Sequence, residues 1–291
     1  MIGILFLLIR VIASPLVNLF QKKLINRGVN PVFIVLIAYA FFSTMAIPYL
    51  ILSKSYSYNR EFWIYMILLG ISDAFGNMFL VRSLKSIDIS IFGPLNAYKP
   101  VVALLLSFLI IKEIPSIAGI IGIAVIISGS YILNMSEKGI EVPFWTFMKA
   151  EGIGYRFLSI ILTSIAAVLS KKVILMSSPL ITLSFWSLIG MPFVLLLFLI
   201  KNKSVHRKYR KPDASSIWFY TGLLFTFLLL QIFSLYTFKY VFIGYSLALF
   251  QLSAVINVFI GSRIFNEGNI KFRYIASAVM IIGACIIIIF G

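Results

Sequence analysis

The chain has 291 residues, 61% hydrophobic and 12% charged, with a mean hydropathy of +1.06 and a formal net charge of +16. A soluble domain is about 45–50% apolar and about 25% charged, so a soluble globule is excluded and an all-α, polytopic membrane protein is expected. The basic residues gather in short stretches between apolar runs, such as "KNKSVHRKYRK", which suits cytoplasm and anionic headgroups rather than nucleic acid.

Apolar runs separated by polar breaks predict ten transmembrane helices, near 2–20, 31–52, 62–81, 90–111, 116–134, 155–174, 180–200, 215–236, 243–264 and 271–290. The first, "MIGILFLLIRVIASPLVNLF", has no basic stretch before its apolar run and no small-residue cleavage site, so it is expected to be a retained helix. It carries Arg10 about halfway along. The third opens with Trp63 and carries Asp73 and Asn77, and the fourth carries Asn96, Lys99 and Pro100. Segment 135–154 is the longest break. Arg156 follows near the start of the sixth helix, where snorkelling to the interface is expected. The eighth helix opens with Trp218 and carries Gln231, and the ninth carries Gln251 and Asn257. Cys285 and His206 are the only residues of their kinds. A disulfide within the chain and a cysteine metal cluster are therefore excluded, and no cofactor is expected.

The two halves resemble each other. "FQKKLINRGVNP" ends at Pro31 and "LSKKVILMSSP" at Pro179, with the lysines offset by 149 and the prolines by 148. Further on the offset is 154, pairing Asn77 with Gln231, Lys85 with Lys239, Glu113 with Glu267 and Gly129 with Gly283. Two copies of a five-helix unit enter the membrane in opposite senses because five is odd, so the expected architecture is two inverted repeats, 1–134 and 155–291, joined by 135–154.

That order resembles the EamA-like branch of the drug/metabolite transporter superfamily. The resemblance rests on five plus five short helices, on "PVVALLLSFLIIKE" (Pro100–Glu113) and on "SAVINVFIGSRIFNE" (Ser253–Glu267). Ala254 departs from the pattern, standing where the first half has Pro100. The resemblance implies carriage of small metabolites by alternating access around a central cavity, without a prosthetic group. The expected location is a bacterial plasma (inner) membrane. Lys and Arg are more numerous in odd-numbered loops, which puts both termini outside, whereas the resemblance implies cytoplasmic termini. Common to both is that the termini share a side.

A charge at mid-membrane costs a few kcal/mol and calls for a reason. Asp73 lies about ten residues before the turn "RSLKSID" and Lys99 about nine after it. At about 1.5 Å per residue both reach roughly 14 Å of depth, near the midplane. Asn77 shares a helix face with Asp73, and Asn96 shares one with Lys99. Two readings fit. One is a structural Asp73–Lys99 pair sealed between helices. The other is a cavity in which Lys99 meets an anionic group and Asp73 a cation or proton. Arg10 is expected to face the cavity, and Gln231, Gln251 and Asn257 supply a neutral wall from the second half. Lys22–Lys23 and Lys171–Lys172 are expected to anchor in headgroups. Glu113 and Glu267 are expected to be structural or gating. Ala118/Gly122 and Ala124/Ser128 have the spacing for close helix contact within the molecule.

The function expected is secondary transport of a small polar solute, amino-acid-like or anionic, coupled to a proton or sodium, by a monomer or homodimer in the lipid bilayer. Two alternatives are a membrane enzyme acting on lipid or polyprenyl substrates and a non-transporting sensor or assembly protein. The enzyme requires clustered carboxylates or histidines, and the nine acidic residues here are scattered.

Overall fold

The computed structural model describes residues 2–53, 57–83, 95, 98–135, 152–203, 217–256 and 270–291, and its regular elements are all helices. In chain order they are α1 (Ile2–Asn26), α2 (Pro31–Ser53), α3 (Arg60–Ser83), α4 (Lys99–Ile111), α5 (Ile117–Met135), α6 (Ile153–Met176), α7 (Pro179–Lys203), α8 (Ile217–Tyr240), α9 (Ile243–Phe250) and α10 (Ile270–Phe290).

Local chemistry fixes the ends. α1 closes with Gly28 at φ +85° while Val29 N–H donates to the Leu24 carbonyl at 3.1 Å, the Schellman pattern in which glycine takes the left-handed position without a Cβ clash. α3 is capped by Asn59, whose side-chain oxygen accepts from Phe62 N–H at 3.0 Å. Ser116 caps α5, accepting from Gly119 N–H at 2.9 Å, and Ser178 caps α7 through Ile181 N–H at 3.3 Å. Each serine or asparagine satisfies a first-turn donor that would otherwise lack a partner.

The chain divides into two compact units, neither of them a contiguous half. Unit 1 takes Met1–Ala74 and Leu169–Lys239; unit 2 takes Phe75–Val168 and Tyr240–Gly291. In unit 1, α2 packs along α7, and Val17, Leu24, Ile34 and Leu223 form a buried cluster that joins α1, α2 and α8. In unit 2, α5 packs along α10 and α4 along α9.

The α5–α10 seam is a backbone-to-backbone contact. A Cβ at Gly129 would lie 2.9 Å from the Ala276 carbonyl oxygen, and one at Gly283 would lie 2.8 Å from the Gly122 oxygen. Without a hydrophobic force between helices in lipid, such close approach is the main source of attraction. Gly122 therefore serves internal packing, as expected. Ser128 instead is exposed and bonds to Ala124 of its own helix at 2.9 Å.

The described helices number ten, and six of them are long and apolar enough, by length and composition, to span a membrane. Several finer expectations are corrected. α4 is 13 residues, about 20 Å at 1.5 Å per residue, short of the roughly 30 Å hydrocarbon core. The expected helix 90–111 is interrupted: Leu95 is helical, Tyr98 is a turn, and α4 starts at Lys99. Pro100 therefore sits in a first turn, where its missing N–H costs no hydrogen bond, and does not kink a continuous helix. In the expected helix 243–264, α9 ends at Phe250, Gln251 and Leu252 form a turn, and residues 253–256 are helical again. Arg156 is 2% exposed, so it does not snorkel. Lys171 is likewise buried, which removes it from headgroup anchoring.

Candidate functional site

In unit 1, Asp73 is held from two neighbouring helices. Tyr39 of α2 donates its hydroxyl to Asp73 Oδ2 at 2.9 Å, and Trp186 of α7 donates its indole N–H to the same oxygen at 3.3 Å. The two rings lie 4.5 Å apart, tilted by 40°. Gly190, one turn beyond Trp186, lies against the Tyr39 ring, which a Cβ there would displace. Phe42 extends the aromatic surface, 6.3 Å from Trp186 and 5.6 Å from Phe227. Asp73 itself is half-buried.

Arg10 of α1 is also in unit 1. Its Nε donates to Ser234 Oγ at 3.4 Å; the Ser234 hydroxyl in turn donates to the Leu230 carbonyl at 2.6 Å. Phe6, one turn before Arg10, packs against Phe233 and Tyr236 at 5.7 and 5.0 Å. Gln231 is half-buried on α8. Phe227, Gln231 and Ser234 are spaced i, i+4, i+7, so they share one face of α8. Arg10 thus meets this helix through Ser234, and the aromatic chain that starts at Trp186 and Phe42 meets it at Phe227.

Unit 2 holds the other described candidates. Lys99 is half-buried at the start of α4, and its carbonyl accepts from Ser164 Oγ at 3.4 Å. Gln251 is half-buried in the turn after α9, and Asn77 is exposed. Asn96 and Asn257 lie outside the described residues. The two interruptions fall at matching places, because helix resumes at Lys99 and at Ser253, which the offset of 154 pairs. Short or interrupted helices at corresponding positions of two halves mark binding regions in transporters.

Glu113 has a structural place. Its Oε2 accepts the Ile243 backbone N–H at 3.0 Å, so a carboxylate from the α4–α5 connection caps the start of α9, where the helix dipole favours negative charge. Lys112, at φ +61°, turns the chain so that this is possible. Tyr245 of α9 accepts from Ser116 N–H at 2.8 Å and fixes the same connection from its other end.

Two contributors were missed in the sequence. Tyr39 was one of 14 tyrosines, and nothing distinguished it. Trp186 did carry a signal. Trp63 and Trp218 lie near helix starts, whereas Trp186 lies two turns into α7, away from the interfacial zone where tryptophan is ordinarily enriched. Among the described residues, no group of three or more His, Cys, Asp or Glu is placed to hold a metal ion.

Comparison with known proteins adds the following. No curated protein matches the chain. A solved crystal structure of a protein shares the fold, with a TM-score of 0.77 over 98% of this chain and 96% of that one, at 14% identity. Residues 1–135 match the model of the EamA-like transporter family, whose members are integral membrane transporters of the drug/metabolite transporter superfamily. That match covers α1 to α5, including the interrupted α4 and the Glu113 that follows it.

Proposed function

We propose that the protein is a secondary transporter of a small polar solute, built from two inverted five-helix copies, 1–134 and 155–291, that alternate access to a midplane cavity. The observation that carries this reading is a set of exchanged contacts. The 154 offset pairs Gly122 with Ala276 and Gly129 with Gly283; Gly122 lies against Gly283, and Gly129 against Ala276. Each residue touches the counterpart of the other, the pattern of a twofold interface. The same exchange recurs in unit 1. Lys23 Nζ lies 5.3 Å from the Phe219 ring centre and Lys172 Nζ 5.5 Å from that of Tyr65; offsets of 149 and 154 pair the lysines and the rings. Phe6 with Phe233 at 5.7 Å and Tyr155 with Phe79 at 5.9 Å repeat it once more.

Two copies related in this way can exchange conformations, so that one arrangement opens to each side of the membrane. On this reading Lys99 contacts an anionic group of the solute, Arg10, Asp73, Asn77, Asn96, Gln231, Gln251 and Asn257 complete the polar lining, and a proton or sodium drives the cycle. The membrane is the bacterial plasma membrane, with both termini on one side. The test is reconstitution in liposomes with counterflow of a metabolite panel. Saturable exchange of at least one solute is expected, and Lys99→Ala is expected to abolish it for an anionic solute while the protein still purifies as a monodisperse species. Absence of saturable flux for every solute would refute the reading.

A further inference from the structure

We infer that the α4–α5 connection and the start of α9 form a latch, which biases the protein toward the state closed at the membrane face where α10 ends. The inference deepens the transport reading and rests on it. All the parts lie in unit 2. Glu113 Oε2 accepts from Ile243 N–H at 3.0 Å. The Tyr245 hydroxyl accepts from Ser116 N–H at 2.8 Å and reaches Ser116 Oγ at 3.5 Å. The Ser116 hydroxyl donates to the Phe290 carbonyl at 3.2 Å, which ties the last turn of α10 to the same point. Two glycines let these groups meet. Gly119 lies against the Tyr245 phenol, and a Cβ at Gly244 would stand 2.9 Å from Leu104 Cβ, so α9 runs close along α4 here. Every residue of α9 is buried. At the opposite end of the pair, Tyr98 is exposed and Lys99 and Gln251 are half-buried.

The sequence does not repeat these groups in the other half. The 154 offset pairs Tyr245 with Ile91, Ser116 with Ile270, Gly119 with Arg273 and Gly244 with Ser90, while Glu113 is answered by Glu267. Isoleucine has no hydroxyl to donate or accept, and arginine and serine carry the Cβ that the two glycines avoid. On the proposed reading α4 and α9 come from different copies, and they part first at one face and then at the other. A frame with equal ends populates both states equally. Hydroxyl contacts and close backbone approach encoded at one end alone shift the balance toward closure at that end.

The experiment reads the latch as thiol reactivity in the purified full-length protein. Ser107 of α4 is 2% exposed, and it lies one turn from Leu104 on the face that meets α9. Ser107→Cys is combined with Cys285→Ser, which removes the native thiol. The new thiol meets a charged methanethiosulfonate when this end opens, so its reaction rate follows the open population. Tyr245→Phe keeps the ring but leaves the Ser116 N–H without its acceptor, and should speed the reaction about fivefold or more. Gly244→Ala is a second, independent perturbation, since its methyl meets Leu104, and it should speed the reaction in the same direction. Ser187→Cys on α7, in unit 1 and 0% exposed, is the control for general loosening and should keep its rate. An unchanged rate at Ser107→Cys in both variants, or equal acceleration at both thiols, would overturn the inference. Saturable counterflow with an unchanged rate would sink the latch and leave the transport reading standing; a rate that depends on Tyr245, with no flux of any solute, would do the reverse.

Discussion

The α5–α10 seam makes a quantitative prediction about symmetry. In Gly129→Ala the new methyl lies 2.9 Å from both the Ala276 oxygen and the Met280 nitrogen; in Gly283→Ala it lies 2.8 Å from the Gly122 oxygen and the Ile126 nitrogen. Ordinary contact begins at 3.4 Å, so each methyl is about half an ångström too close to backbone that cannot rotate away. Overpacking of this kind costs about 1–3 kcal/mol, and the better helix propensity of alanine returns about 1 kcal/mol. The net loss is about 0–2 kcal/mol, up to a few degrees of melting temperature. Because the offset makes the two sites equivalent, the two losses should agree to within about 0.5 kcal/mol, and at roughly 10 Å apart along the seam they should add. Gly154→Ala is the control. Nothing lies within 4 Å of its new methyl, so it should gain about 0.5–1 kcal/mol. The assay is thermal unfolding of purified variants in one detergent. If Gly129→Ala melts with or above Gly154→Ala, or if the two seam variants differ widely, the twofold reasoning is wrong.

Other consequences are as direct. Glu113→Ala removes the acceptor for Ile243 N–H and should cost about 1.5–3 kcal/mol, with Glu113→Gln recovering roughly half; equal melting of all three proteins would show that the cap contributes nothing. Lys112 holds φ +61° without being glycine, so Lys112→Gly should gain about 0.5–1 kcal/mol by relieving left-handed strain, and a lower melting temperature would contradict this. Reporter fusions at the two termini should give signals from one compartment; opposite compartments would break the inverted-repeat topology.

Much of the helical framework was legible because each apolar run is bounded by residues with a specific end-forming role. Asn59, Ser116 and Ser178 cap, and Gly28 closes a Schellman turn. The interruption before Lys99 was not legible. "NAYKPVVALLL" reads as continuous apolar helix, and a proline in such a run fits either a kink or a first turn. The burial of Arg156 escaped for a related reason: in a helix apolar on most sides, periodicity gives little information about which face packs inward. The two donors to Asp73 were not legible, because Tyr39 and Trp186 come from the packed α2–α7 pair, far from it in sequence.

Where the halves agree and where they differ has a physical basis. At the seam, backbone approaches backbone, so both helices need small residues: Gly122 answers to Ala276 and Gly129 to Gly283. A substitution on one side alone would wedge the contact open at both ends of the exchange. No such constraint acts on a side chain that faces a solute, and a solute charged at one end has no twofold of its own. On the proposed reading, positions that answer to each other yet differ in charge are the ones at which symmetry is given up for recognition. They are Arg10 against Ser159, Asp73 against Phe227 and Lys99 against Ser253. Asp73 and Phe227 make the case most concretely, because both belong to one aromatic chain in unit 1, running from Asp73 through Trp186 and Phe42 to Phe227. Equivalent positions in a single cluster, one a carboxylate and the other a phenyl ring, give the cluster a polar end and an apolar end, and on the proposed reading that difference is what would let a symmetric frame distinguish the two ends of an asymmetric solute.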